Sequence, residues 1–171
     1  MTIDKKFIDQ FINVTSKAAL KSSYYVGKKD KIAADKAATD SMRFELNKMD
    51  MNGKVVIGEG ELDKAPMLFI GELLGTKNGP SFDIAVDPLE GTNFAANNLP
   101  GALSVIAIAE KNNLLNAPET YMDKIAVGED VPKDAVDLDY SIKKNVENLA
   151  DIKNKRPEDL TVCILDRARH K

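Results

Sequence analysis

The stretch Ile84-Ala85-Val86-Asp87-Pro88-Leu89-Glu90-Gly91-Thr92 delivers two carboxylates and a hydroxyl at the end of a short apolar run. The run reads as a strand, Pro88 as the residue that turns the chain, and Thr92 to about Asn97 as a helix opened by Gly91. Asp87 and Glu90 would supply hard oxygen ligands for a divalent cation. Gly91 lets the backbone N–H groups that follow approach an anion. Cation and phosphate side by side is the chemistry this spacing suits. The plainer alternative is a strand–turn–helix corner carrying two solvated acids.

Three further strings bear on that choice. They are Lys31-Ile32-Ala33-Ala34-Asp35, the run Val56-Ile57-Gly58-Glu59-Gly60-Glu61-Leu62-Asp63-Lys64-Ala65-Pro66-Met67, and Leu115-Asn116-Ala117-Pro118-Glu119-Thr120-Tyr121-Met122. Asp87-Pro88-Leu89-Glu90-Gly91-Thr92 resembles the metal-binding signature of the lithium-sensitive sugar and inositol phosphatase superfamily. With the other strings, the chain resembles class II fructose-1,6-bisphosphatases over essentially its whole length. The resemblance implies a layered α/β sugar-phosphatase fold. It also implies metal-dependent hydrolysis of the 1-phosphate of fructose 1,6-bisphosphate, in gluconeogenesis, with sedoheptulose 1,7-bisphosphate as a further substrate. On this resemblance residues 1–171 form the N-terminal metal- and phosphate-binding domain. The family's second half, which adds another carboxylate ligand and further sugar contacts, is expected beyond them.

Hydrolysis of a phosphate ester at such a site uses two divalent ions, on the order of 4 Å apart. Carboxylates suit Mg²⁺ or Mn²⁺. The resemblance assigns Asp35 and Glu59 to one ion, and Asp87 and Glu90 to a second. Without it, Gly58-Glu59-Gly60-Glu61 reads as an exposed acidic turn, and Lys31 with Asp35 as an ordinary helix-surface pair. In the functional reading Lys31 reaches the metal-bound water or phosphate as a cation. Asp63 matches the partner of the Thr92 hydroxyl, the pair aligning a water and relaying its proton; alternatively Asp63 makes a turn ahead of Pro66. Glu90, Gly91, Thr92, Tyr121, Arg167 and Arg169 are the expected substrate contacts, Arg being suited to phosphate by its planar fork. Tyr121 as packing, and the terminal basic run as a solvated tail, are the alternatives. Ala168 stands where the family commonly has proline, which leaves that loop less rigid.

These side chains need elements to hold them. A helix capped by Thr2 or Asp4 is expected to run to about Val26, with Gly27 as its stop and Ile8, Phe11, Ile12, Thr15, Ala19 and Leu20 facing the core. A second is expected from about Asp30 to Lys48, closed by Asn52-Gly53, with Ala34, Ala37, Ala38, Met42, Phe44 and Leu46 inward. Strands are expected at 54–57, 67–70, 82–86, 102–109, 114–115, 124–127 and 161–165. Lone Cys163 reads as buried in the last of these. A helix from Asp139 to about Lys153 should bury Ile142, Val146, Leu149 and Ala150, and Pro157 should start a short turn. Two helices followed by a strand-rich middle argue for an α+β class, a mixed sheet flanked by helices.

The composition bounds the partners. A chain of 171 residues, 43% hydrophobic and 30% charged, fits one domain with a real core. A net charge of −3 carries no nucleic-acid footprint. No run approaches a membrane span, and no apolar leader opens the sequence, so a cytoplasmic protein is expected. The expected partner is a sugar bisphosphate, in a homo-oligomer. Two other functions fit less of the sequence: an inositol or related sugar phosphatase of the same superfamily, and a catalytically silent metal- or phosphate-binding fragment.

Overall fold

The structure, a computed structural model, describes residues 3–59, 67–115 and 122–164. The chain divides into two compact units, Met1–Pro118 and Glu119–Lys171. In the first unit, α1 (Lys5–Ser23) and α2 (Lys31–Leu46) precede β1 (Asn52–Ile57), β2 (Leu73–Leu74), β3 (Ser81–Glu90), α3 (Thr92–Ala96) and β4 (Leu103–Glu110). The strands form a mixed sheet in the order β2-β1-β3-β4, with β1 and β3 parallel and the outer pairings antiparallel. The α+β class expected from the sequence is the observed one.

Both long helices begin on carboxylate caps. Asp4 accepts from the Lys6 N–H at 2.8 Å and Asp30 from the Ala33 N–H at 2.9 Å. The buried stripe of α1 is Phe11, Val14, Ala18 and Ser22. Of the six core positions expected on this helix, only Phe11 is among them; Ile8, Ile12 and Leu20 are exposed. The helix carries apolar residues on more than one face, and aromatic packing selects between them. Phe7 and Phe11 both meet Phe82 of β3 edge-on, with ring centroids 5.1 and 5.8 Å apart. On α2 the small residues Ala34 and Ala38 are buried together with Met42 and Leu46 as expected, whereas Phe44 is exposed. Asn47 caps α2, and Asn52-Gly53, expected to close it, instead opens β1.

The strand expectations hold in part. β1, β3 and β4 form, but 67–70 is irregular, and the pairing beside β1 comes from Leu73–Leu74. β3 does not stop at Val86; it continues through Asp87, Pro88 and Leu89 to Glu90, with a pairing irregularity against β4 between Asp87 and Glu90. Pro88 therefore lies within a strand instead of turning the chain. Pairing with β1 ends at Ala85, so the missing N–H of Pro88 interrupts no β1–β3 ladder. Residues 114–115, 124–127 and 161–164 form no strand, and Cys163 is exposed, contrary to its expected burial.

In the second unit α4 (Ile142–Ile152) starts on Ser141, whose hydroxyl accepts from the Lys144 N–H at 3.1 Å. Ala150 is buried, Val146 and Leu149 are half-buried, and Ile142 is exposed at the first turn. Asn145 and Asn148 donate to the carbonyls of Asp137 and Ala135 at 2.8 and 3.0 Å and tie the preceding loop to the helix. Pro157 begins a single 3₁₀ turn, Pro157–Asp159, as expected.

Candidate metal and phosphate site

Parallel pairing of β1 and β3 sets two of the candidate acids level with each other. Ile57 pairs with Ala85, and each strand reaches its carboxylate two residues later, at Glu59 and Asp87. In open sheets the carboxyl ends of parallel strands are where ligands bind. Glu59 is held by its backbone: its N–H donates to the Leu68 carbonyl at 3.0 Å. Gly58 permits that approach, since a Cβ there would stand 2.2 Å from the Leu68 oxygen.

The half-buried carboxylate of Asp87 is crowded by like charge. Its pKa is pushed up from 3.8 to about 6, first by burial and then by hydrogen bonding and charge repulsion from Glu90. The Glu59 side chain and the Leu89 N–H, the latter 3.1 Å from Oδ1, act in the opposite direction and favour the ionised form. Asp87 thus interacts with both Glu59 and Glu90.

Gly91 follows in the left-handed region at φ 78° and starts α3 with Thr92 as its first residue. At this Gly a Cβ would lie 3.1 Å from the Phe94 ring, so both the turn and the space call for glycine. The loop between α1 and α2 is stitched to the far end of α3. Gly27 and Lys29 donate to the carbonyls of Ala95 and Ala96 at 3.0 and 2.8 Å. α2 in turn packs on β3 and α3.

Lys31 is exposed at the start of α2, and among the described residues no ion pair joins it to Asp35; the α2 pair that forms is Lys36 with Asp40. Asp35 is half-buried, its pKa is raised by burial, and its Oδ1 is buried without a hydrogen-bond partner. A surface Lys–Asp pair, the plain alternative for these two residues, is not what the structure contains. Asp63, Tyr121, Arg167 and Arg169 lie outside the described residues, as does Glu61.

The donor set fits a divalent cation. A bound positive charge would relieve both the repulsion at Asp87 and the unpartnered oxygen of Asp35, and all the donors are hard oxygens. Among the described residues no group of three such ligands is already arranged as a metal cage.

Sequence reading missed Arg43 and Glu72. They form a two-pronged ion pair, Nε–Oε1 at 2.6 Å and Nη2–Oε2 at 3.2 Å, beside the chain that returns from the Glu59 loop. An Arg within an alanine-rich helix, next to core Met42, was the available signal.

A family model for bacterial fructose-1,6-bisphosphatase, glpX-encoded, matches residues 5–171. Curated relatives named D-fructose 1,6-bisphosphatase class 2/sedoheptulose 1,7-bisphosphatase include those of Synechococcus sp. (strain CC9902) and Prochlorococcus marinus (strain MIT 9515). Each is 43% identical to this chain over 169 residues, 99% of this chain and 50% of the relative. The relative from Synechococcus sp. (strain CC9311) is 42% identical over the same share. The chain spans about half the length of the curated relatives it matches.

Proposed function

The chain belongs to the bacterial glpX-encoded fructose-1,6-bisphosphatase family, and we propose that it is the metal- and phosphate-binding part of an enzyme that removes the 1-phosphate of fructose 1,6-bisphosphate. The products are fructose 6-phosphate and inorganic phosphate, a step of gluconeogenesis in the cytoplasm. Sedoheptulose 1,7-bisphosphate is the second substrate, on the printed names of the relatives. The observation that supports this reading is the interaction of Asp87 with Glu59 and with Glu90 beyond the paired ends of β1 and β3.

Asp35, Glu59, Asp87 and Glu90 would hold divalent ions, Mg²⁺ or Mn²⁺. Ions bound there would supply positive charge to the phosphoryl oxygens and lower the pKa of a bound water. Lys31, an exposed cation at the start of α2, would pair with the phosphate. Thr92 would accept a hydrogen bond from the attacking water and pass its own hydroxyl proton toward Asp63, so that the water arrives aligned and partly deprotonated. Water oxygen then bonds to phosphorus, the bond from phosphorus to the C1 oxygen breaks, and that oxygen leaves with a proton. Gly91 would let the backbone N–H groups that follow approach the phosphate, and Tyr121, Arg167 and Arg169 would hold the sugar and its second phosphate. The working protein would be a homo-oligomer.

Phosphate release measured with Mg²⁺ and with Mn²⁺ tests this, on the present chain and on a chain of the relatives' length. Fructose 1,6-bisphosphate should be hydrolysed by the longer chain, and inositol monophosphate should not. Preferential turnover of inositol phosphate would assign the chain's chemistry elsewhere in the superfamily. Absence of any metal-dependent turnover by the longer chain would reject the enzyme reading.

A further inference from the structure

Glu59 lies beyond the end of β1, and its backbone N–H ties it to the Leu68 carbonyl of the segment 67–72. What fixes that returning chain is Arg43. Its Nη2 donates to the Met67 carbonyl at 2.6 Å, one residue before Leu68. Its fork grips Glu72 at 2.6 and 3.2 Å, and Glu72 Oε2 also accepts from the Phe69 N–H at 3.3 Å. The segment is then sewn to β1, with Val55 donating to Glu72 and Gly71 to Val55 at 2.9 and 2.8 Å. The pair is well shielded, the side chains of Arg43 and Glu72 being 25% and 12% exposed. A bidentate Arg–carboxylate fork at this burial is a stiff link, unlike a solvated surface pair.

We propose that Arg43 and Glu72 are positioning residues for the Glu59 carboxylate, linking the core helix α2 to the ligand through Met67 and Leu68. In this role the pair acts through Glu59 and not on substrate or metal directly. Its effect is on where Glu59 stands relative to Asp87, and so on metal affinity. The inference rests on Glu59 being a metal ligand, and its test separates the two claims.

Mn²⁺ binding is measured by calorimetry on the intact protein, well below each variant's melting temperature. Glu59→Gln tests the ligand assignment and should weaken binding at least 10-fold. Arg43→Gln and Glu72→Gln should each raise the Mn²⁺ Kd about 10-fold, the lower end of what outer-shell partners of metal ligands contribute. The double variant should be little worse than either single one, because the two act as one link. Arg43→Lys keeps the charge and loses the fork, so it should recover only part of the affinity. A fall in melting temperature alone, with Mn²⁺ affinity unchanged in folded Arg43→Gln and Glu72→Gln, would overturn the inference while leaving Glu59 as a ligand. Unchanged affinity in Glu59→Gln would instead remove the reading beneath it.

Discussion

Charge at Asp87 is held against its surroundings, and this makes single residues informative. Its folded pKa of about 6 lies above the ordinary 3.8, so the protonated form favours folding. That contribution is complete below the unfolded value and is lost as pH rises through the folded one. Metal-free protein should therefore lose stability relative to Asp87→Asn between about pH 4 and about pH 6.5. Added Mg²⁺ or Mn²⁺ should restore it at the upper end in the wild type and not in the variant. Thermal melts across that range check both parts, and a metal-induced rise retained by Asp87→Asn would remove Asp87 from the ligand set. Thr39 behaves differently. It is fully buried on α2 with its hydroxyl unpartnered, whereas Thr15, Ser22 and Ser23 of α1 return theirs to the helix backbone. Thr39→Val keeps the shape and removes the orphan, so it should raise stability by about 1 kcal/mol in chemical denaturation. Lys31→Ala should leave the melting temperature within a few degrees, as for surface changes, and lower kcat far more than it raises KM in the intact enzyme. Equal losses in stability and rate would make Lys31 structural.

Elements matter here through where they end. β1 and β3 are parallel neighbours, and a pairing irregularity between Val55 and Ile57 sets Ile57 opposite Ala85, two residues before Glu59 and Asp87. The close passage of Gly58 under Leu68 holds that geometry. Gly58→Ala places a methyl 2.2 Å from a backbone oxygen that cannot rotate away. We expect about 3 kcal/mol of destabilisation, at the upper end of overpacking costs, together with a loss of metal affinity. Full stability in Gly58→Ala would show that the 67–72 segment is free to move. The sheet also explains why Pro88 is tolerated: β1 has already ended beside it, and β3 is irregular against β4 at the same point.

At the level of the whole molecule, the chain covers about half the length of the curated relatives named above, and part of its apolar surface is open. Ile12 on α1 and Leu103 on β4 are 59% and 58% exposed, with Ile8, Leu20 and Val105 also outside the core. Apolar surface of this kind favours association. The 171-residue chain by itself is expected to self-associate in light scattering, to bind Mg²⁺ or Mn²⁺ weakly, and to show little bisphosphatase activity. Four carboxylates could hold one ion with water completing its shell, and would leave a second ion loosely bound. Turnover by this chain equal to that of one with the relatives' length would mean that the site is complete within it or across an interface of copies.

Residue type and spacing along the chain were enough to single out the Asp87–Thr92 string as a candidate site, to offer Asp4 as one of two caps for α1, and to anticipate α2, the α4 region and the α+β class. All of these depend on interactions within a few residues, or on periodicities the backbone imposes. The choice of apolar face on α1 was not legible, because Ile8, Ile12 and Leu20 have the same helical spacing as the stripe that is buried. Contact with Phe82, some seventy residues on, decides it. Cys163 was misjudged because an apolar run says nothing about whether a neighbouring strand exists to cover it. The continuation of β3 through Pro88 depends on where β1 stops. The orphaned oxygen of Asp35 depends on packing around α2, and the hold of Arg43 on Met67 and Glu72 spans 24 and 29 residues. Each of these is set by long-range pairing, which sequence spacing does not encode and only the folded chain brings about.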